Sequence, residues 1–481
     1  MLKNLMMNKT LILFAIIMVS TVIRAQVTFI RHYGEFSGQG NSLILNSSNN
    51  YIVAGKRPTL SADQITIWEI NSFGDTLWQK HYGTNLQEQA NQIIQTIDGG
   101  YVTVGFSAEF LGSFRSIYLL KTTSTGEVSW AKHIGGEGHE NGTSIIQTDA
   151  GEYFIGGSSA FNSNGLFDFY LVKTDINGDT IWTKKYGGSM DEESTSMRQT
   201  SDGGFILAGY TESFGNGLKD LYLIKTNNIG DTLWTKHYGG ALDDAAYSVR
   251  QTLDGGYILT GYSDSVGMAH QNMYVVRTNS VGDTLWTKTY SDNRSSVGND
   301  IIQTNDGGYV ITGSIKTASA NGGFDLYVVK IDEFGNLQWE KDFKIEPSIT
   351  TYTASDGASI IQTSDSGFAI TGSWLGSITK EMLMVKLDNY GTVATNEVQI
   401  VPAYNLFPNP FNQTATLQFE NLQNEEYILS IFDIHGRMLR AITNISSNNI
   451  EIERNNLNSG LYFFQLRTDK EIRAMGKFIL N

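Results

Sequence analysis

The chain of 481 residues contains no cysteine. Disulfides, cysteine-ligated zinc and thiol nucleophiles are thereby excluded. Export is not, because a large closed fold needs no covalent staples. Proline is scarce, at 5 residues, while glycine is abundant, at 50. Many short strands joined by tight turns fit that balance. Positive charge is also in deficit: 34 Lys and Arg against 49 Asp and Glu leave a net charge of −15. Such a chain offers no basic face to a phosphate backbone, which excludes a nucleic-acid partner. Long apolar runs are missing too. The run Leu11 to Val19 is too short to span a bilayer. With Lys3 and Lys9 ahead of it and Ala25 as the small residue before a cleavage point, residues 1–25 read as a signal peptide. Met7 would be the tidier start, and an uncleaved anchor is the alternative. No GxSxG, P-loop, dinucleotide fingerprint or HExxH occurs.

What the chain does have is a repeat. Trp78, Trp130, Trp182, Trp234 and Trp286 stand 52 residues apart, and Trp339 follows 53 later. Tyr51, Tyr101, Tyr153, Phe205, Tyr257, Tyr309 and Phe368 keep step with them. So do apolar runs ending in a basic residue, from IYLLK at Lys121 to MLMVK at Lys386, with ITIWEI (Ile65 to Ile70) a divergent first copy. Each unit supplies four strand candidates. Strand A is SIIQT-like, B is GGYVITG-like, C is DLYLVKT-like and D is DTLWTKHYG-like. Strand C does not alternate, which predicts burial on both faces. TxDGGY and NxxGD supply tight turns between A and B and between C and D. The longer B–C and D–A loops emerge together at the opposite end, where ligand contacts are expected.

Counting strands predicts an all-β, seven-bladed β-propeller over residues 26–392, with a repeat of about 52 residues. One D strand is missing after the seventh C strand. Val27 to Gly34 (VTFIRHYG) matches TLWTKHYG, so the N-terminal strand is expected to close the last blade.

The remainder has different patterning. A linker over 393–404 leads to NLFPNPF, TATLQF, YILSIFDIHGRML, LNSGLYFFQL and KFILN. This series resembles the C-terminal sorting domain of the bacterial type IX secretion system over residues 405–481. The matching positions are Pro408, Asn409 and Pro410, the turn at Asp433 and Gly436, Ser459, Gly460, Leu461 and Tyr462, and Lys477 in the final strand. The resemblance implies a small β-sandwich, a partnership with the secretion machinery, a Bacteroidota-type host, and delivery through the periplasm to the outer-membrane surface or beyond. An ordinary sandwich retained as a binding module is the alternative.

Candidate chemistry is sparse. His32, His81, His133 and His237 recur at one place in strand D and read as scaffold, whereas His139, His270 and His435 are isolated. The TxDxG pieces resemble the Asp-box of sialidases, but Leu207 stands where that box has Trp. Asp191, Glu192, Asp243 and Asp244 fall in matching D–A loops and are candidate Ca²⁺ ligands, with solvated loop charge as the plainer reading. Glu140, Glu193, Arg198 and Arg250 are the candidate residues of a ligand-binding face. Gln95, Gln147, Gln199, Gln251, Gln303 and Gln362 recur in the inner strand and are expected to form a structural hydrogen-bond ring. The expectation is a monomeric, non-enzymatic surface scaffold with no resident cofactor, binding a glycan or a protein through its long-loop face. The alternative is a secreted glycan hydrolase using acids of the same loops.

Overall fold

The computed structural model describes residues 27–393 and 404–481, apart from loop segments at 34–37, 60–61, 85, 109–113, 136–137, 161–166, 267–270, 292, 318–322, 345–353, 376–379, 420–425, 434–436 and 469–471. The expected signal peptide, nearly all of the expected linker, and Gly436 lie outside the described residues.

Among the described residues, every regular element is a β-strand. Those of the repeat region form five four-stranded sheets in A–B–C–D order and one eight-stranded sheet that holds two further A–B–C–D sets joined by a parallel bridge at Phe324 and Ala354. The fourth shows the plan: Glu192–Gln199, Phe205–Thr211, Asp220–Thr226 and Thr232–Tyr238, all antiparallel. The strand order supports a β-propeller built of such blades. Its strand C is buried from end to end, as the unalternating run predicted. Strand D alternates and is the outermost, half-exposed edge.

Burial of both faces of strand C requires a neighbouring blade on each side. The apolar core accordingly runs across blade boundaries: Leu221 and Leu223 of the fourth blade share one cluster with Val249, Leu259 and Val276 of the fifth. At the rim each boundary carries a second contact. Trp182 of strand D packs on the next blade's C–D turn, and the Tyr186 hydroxyl donates to the Gly230 carbonyl of that turn at 2.5 Å. Gly230 has φ +79°, and a Cβ there would lie 3.0 Å from the Trp182 ring. Glycine is therefore needed for both the turn and the neighbour. Tyr82 with Gly126, Tyr238 with Gly282 and Tyr290 with Gly335 repeat the bond at 2.7, 2.7 and 2.8 Å.

The closing boundary uses the same device. Phe29–Tyr33 is the neighbour of Lys380–Leu387 in the seventh unit, and Tyr33 donates to the Gly74 carbonyl of the first blade at 2.7 Å. The N-terminal strand thus supplies the missing D strand, as strand counting anticipated.

The turn between A and B holds more than hairpin chemistry. In TxDGGY the Asp202 carboxylate accepts from the Thr200 hydroxyl at 2.6 Å, the Gly204 amide at 3.0 Å and the Lys225 ammonium at 2.9 Å. Lys225 is the basic residue that ends strand C, and it is buried. The same pair forms as Lys121–Asp98, Arg277–Asp254, Lys330–Asp306 and Lys386–Asp365. In the divergent first blade both partners change together: Glu69 replaces the cation and accepts from Asn46 and Asn50.

Thr392–Asn481 together with Phe29–Arg31 form a second compact unit. A three-stranded sheet holds Tyr404–Phe407, Thr414–Phe419 and Asn449–Glu453, and a four-stranded sheet holds Tyr427–Phe432, Met438–Ile445, Gly460–Arg467 and Ile472–Leu480. Leu417 and Ile452 of the first share a core with Leu429, Ile431, Phe464 and Phe478 of the second, which makes a small sandwich.

Burial alone would raise the Asp202 carboxyl, but hydrogen bonds from Lys225, Thr200 and the Gly204 amide outweigh it and hold it at about 2, against 3.8 for a free aspartate. Asp98 and Asp254 are likewise held at about 2. A carboxyl depressed on folding contributes stability that is present above its unfolded pKa and lost as pH falls through the folded one. The propeller should therefore lose stability between about pH 4 and pH 2 as these carboxylates protonate. Asp202→Ala, which strands a buried Lys225, should cost roughly 1–3 kcal/mol at neutral pH, less than a fully enclosed pair because the carboxylate is half-exposed. Chemical denaturation at pH 7 and pH 3 measures both effects, and a variant as stable as the parent at pH 7 would refute the pairing.

Candidate functional site

The seven A strands line a central channel. Each is bulged at one place, for example between Ser194 and Ser196 in the fourth blade and between Gly142 and Ser144 in the third. A bulge re-aims side chains, and here two consecutive residues, such as Thr195 and Ser196 or Asn299 and Asp300, both reach the channel. The facing glycine of strand B makes room for it. A Cβ on Gly209 would lie 1.8 Å from the carbonyl oxygen of Glu193.

The second residue of each pair ties neighbouring blades. The hydroxyl oxygen of Ser42 accepts from the Ile93 amide, Ser144 from Met197, Ser196 from Val249 and Ser359 from Leu43, at 2.9–3.4 Å. Gln92 does the same for Ile145, and Asp300 for Ile360. Nearer the A–B turns, Gln95, Gln147, Gln251, Gln303 and Gln362 each accept from a backbone amide of the preceding blade's turn, at 2.8–3.1 Å. Five of the six expected glutamines thus form the ring, while Gln199 is exposed.

Arg198 and Arg250 interrupt the symmetry. Other blades place isoleucine there: Ile44, Ile94, Ile146, Ile302 and Ile361. Arg250 pairs with Asp300 at 2.8 Å. Arg198 lines two cavities of about 300 and 500 Å³ within the channel. Both candidates therefore lie inside the ring, away from the loop acids with which they were grouped.

Those loop acids need correcting. Glu192 and Asp244 are fully buried, not loop charges open to a cation. Glu192 accepts from the Gly188 amide at 2.6 Å, the Thr211 hydroxyl at 2.7 Å and the Ser213 amide at 3.1 Å. Asp244 accepts from the Gly240 amide and the Ser265 hydroxyl, at 2.8 and 2.7 Å. They tie the D–A loop to the B–C loop because each opens an A strand where both loops meet. Glu140 holds the same position, is buried, and accepts from Ser159 at 3.3 Å. Asp191 is occupied by the Phe167 amide at 2.8 Å. Among the described residues no group of three acids or histidines is arranged to hold a metal ion, and Asp191, Glu192, Asp243 and Asp244 form no such group.

Glu193 points elsewhere. With Arg115, His139, Glu140, Asn141, Ser158 and Phe167 it lines a recess of about 330 Å³. Its carboxylate accepts from the Tyr210 hydroxyl at 2.8 Å. The His139 ring lies 5.2 Å from Phe114 and 6.4 Å from Phe167, and Phe114 is largely exposed. The aromatic members escaped the sequence reading, although His139 stood apart as a histidine outside the repeat. By contrast His133 packs on Tyr118 within its blade, as scaffold.

In the sandwich, Asn409 reaches the last strand. Its side chain accepts from the Ile479 amide at 2.9 Å and donates to the Lys477 carbonyl at 3.3 Å. Pro408 and Pro410 flank it in an exposed turn, and the Lys477 side chain is exposed. Gly460 opens the strand that carries Tyr462, whose hydroxyl donates to the Asn458 carbonyl at 2.8 Å. One residue the motif left out binds the pieces together. Arg454 donates to the carbonyls of Leu457, Asn412 and Asn481 and to the Ser459 hydroxyl.

Residues 405–481 match the family model described as the secretion system C-terminal sorting domain. The chain is thus exported to the cell surface or extracellular space, with its C-terminal domain as the part the secretion machinery handles. The regulatory protein FlaEY of Caulobacter vibrioides is 24% identical over 174 residues, which is 31% of this chain and 18% of that one. The match therefore spans under a fifth of that relative. Among solved structures, the extracellular domain of a putative hybrid two-component system from B. thetaiotaomicron aligns over 94% of this chain and 57% of its own, at 9% identity and TM-score 0.42. The β-propeller domain of the Trilobed protease from Pyrococcus furiosus, described as having an open velcro topology, aligns over 76% and 100%, at 11% identity and TM-score 0.41.

Arg454→Ala removes charge-assisted bonds to three separate segments and should destabilise the sandwich by roughly 1–3 kcal/mol. Cell fractionation should show less of this variant at the surface, and a chain ending at residue 404 should remain in the periplasm. Surface delivery of the truncated chain at the parental level would contradict the assignment of the tail.

Proposed function

We propose that this chain is a surface-delivered, non-catalytic glycan-binding protein whose contact site is the recess around His139. Export rests on the tail. The binding reading is supported chiefly by one observation: Phe114, His139 and Phe167 come together beside Arg115, Asn141 and Glu193. Sugar rings present an apolar C–H face and a rim of hydroxyls. Aromatic rings suit the face, and a few convergent amide, carboxylate and guanidinium groups suit the rim. The arrangement occurs at one place on a repeated scaffold, as a site grafted on a fold would.

The hydrolase reading needs two carboxyls acting on one bond, one as acid and one as nucleophile or base. Of the two acids lining the recess, Glu140 is buried and engaged with Ser159, leaving Glu193 in half-buried contact with it. That division favours binding over hydrolysis.

The test is a glycan-array screen of the full chain, followed by titration calorimetry with the best oligosaccharide. Phe114→Ala and Glu193→Gln should each weaken binding about tenfold, or about 1.4 kcal/mol. Unchanged affinity in both variants would move the site elsewhere. Release of reducing sugar from any bound glycan would overturn the non-catalytic reading.

A further inference from the structure

The channel holds a charge that its own surroundings do not neutralise. Arg250 and Asp300 form an ion pair at 2.8 Å. Asp300 is also saturated by other donors. Its Oδ1 accepts from the Ser248 hydroxyl at 2.8 Å and the Ile301 amide at 3.0 Å, and its Oδ2 from the Ile360 amide at 3.1 Å. Arg198, one blade back at the same level, donates from Nη1 to the carbonyl of Met197 at 2.7 Å. Among the described residues no carboxylate lies within ion-pair distance of it. A guanidinium carries five N–H donors, so most of its capacity is unspent on the protein.

Burial, and after it the charge of Arg250, push the Arg198 guanidinium's pKa down, and Asp300 offsets this only in part. Arginine stays protonated at neutral pH all the same. The result is one half-buried positive charge without a carboxylate partner among the described residues, and holding such a charge unpaired is costly. The cavities beside it are large enough for a small molecule and polar on the Arg198 level, where Thr195, Ser196 and Tyr247 join it. Ser196 accepts from the Val249 amide, which leaves its own O–H to donate inward.

We propose that the channel binds one small oxyanion, a carboxylate or an inorganic phosphate, through the Arg198 guanidinium with Ser196 as a second donor. Planar two-point recognition of such oxygens is the chemistry in which guanidinium excels. The site is separate from the recess around His139 and stands whether or not that recess binds glycans.

The experiment uses the full chain in low-chloride buffer, with acetate and inorganic phosphate as probes at constant ionic strength. Calorimetry should show one anion per chain, and melting temperature should rise as the probe saturates the site. Arg198→Ile, which installs the side chain of the neighbouring blades, should weaken binding at least about tenfold. In anion-free buffer it should melt at or above the parental temperature, since a half-buried, unpaired charge has been removed. Arg198→Gln serves as a second, polar variant should the isoleucine chain misfold. Binding of acetate alone identifies a carboxylate ligand, and binding of phosphate an inorganic one. Absence of binding by the parent, or equal melting shifts in parent and variants, would overturn the proposal, because anions that merely strengthen burial act on all chains alike.

Discussion

A sheet with two apolar faces cannot stand alone, and every part of the propeller follows from that constraint. Strand C is buried throughout, so each blade needs a neighbour on both sides. The outer contact between neighbours is local and repeated: a tryptophan laid on a left-handed glycine, and a tyrosine hydroxyl on that glycine's carbonyl. Ile134 and Phe343 stand at the two boundaries that lack the tyrosine. At the first of these Ile134 packs in one cluster with Tyr153, Tyr170 and Val172 of the next blade, so apolar packing holds that seam without the hydrogen bond. The pairing of Phe29–Tyr33 with Lys380–Leu387 joins segments far apart in sequence. Its loop-closure cost falls once on the whole ring.

The bulges in strand A link that scaffold to its interior. Without them only alternate residues would face the channel. With them, two successive side chains do, and one of each pair is spent on fastening the next blade. The channel wall is therefore largely committed to structure. A ring so uniform makes departures from it informative. Gln92 and Asp300 stand where other blades have serine, and each still performs the fastening role. Arg198 and Arg250 stand where others have isoleucine; Arg250 adds an ion pair to the next blade, whereas Arg198 bonds to the Met197 carbonyl of its own strand.

Much of the fold was legible because the repeat prints each constraint several times. The period, the unalternating strand C and the displaced D strand at Val27 to Gly34 are all consequences of ring closure. The tail was legible for another reason: Pro408, Asn409 and Gly460 mark turns, and turn residues are read locally. What stayed hidden were the side-chain pairs whose members lie in different strands. Asp202 read as a turn former, and its bond to Lys225 needed strand C laid beside the turn. Glu192 and Asp244 read as solvated loop acids because runs of acids usually are. Only the loop crossing shows them buried and saturated by amides and hydroxyls. The grouping of Phe114, His139 and Glu193 draws on three loops and strands with no common motif.

The exceptions to the repeat differ in how they are balanced, and that difference carries weight. Where the first blade exchanges a cation for Glu69, the facing turn has Ser48 in place of the aspartate and supplies Asn46 and Asn50 as donors to Glu69. Where the third blade lacks the turn aspartate, Glu152 takes its place beside Lys173 at 2.8 Å. Arg277 keeps Asp254, and Arg250 is matched by Asp300 in the adjacent blade. Each substitution of charge has drawn a second substitution that satisfies it, as the cost of enclosing an unpaired charge requires. Arg198 breaks this rule within the same ring. A scaffold that matches its substituted charges at Glu69, Lys173 and Arg250, and leaves Arg198 without a carboxylate partner among the described residues beside a polar cavity, has the physical form of a binding site whose partner comes from solution.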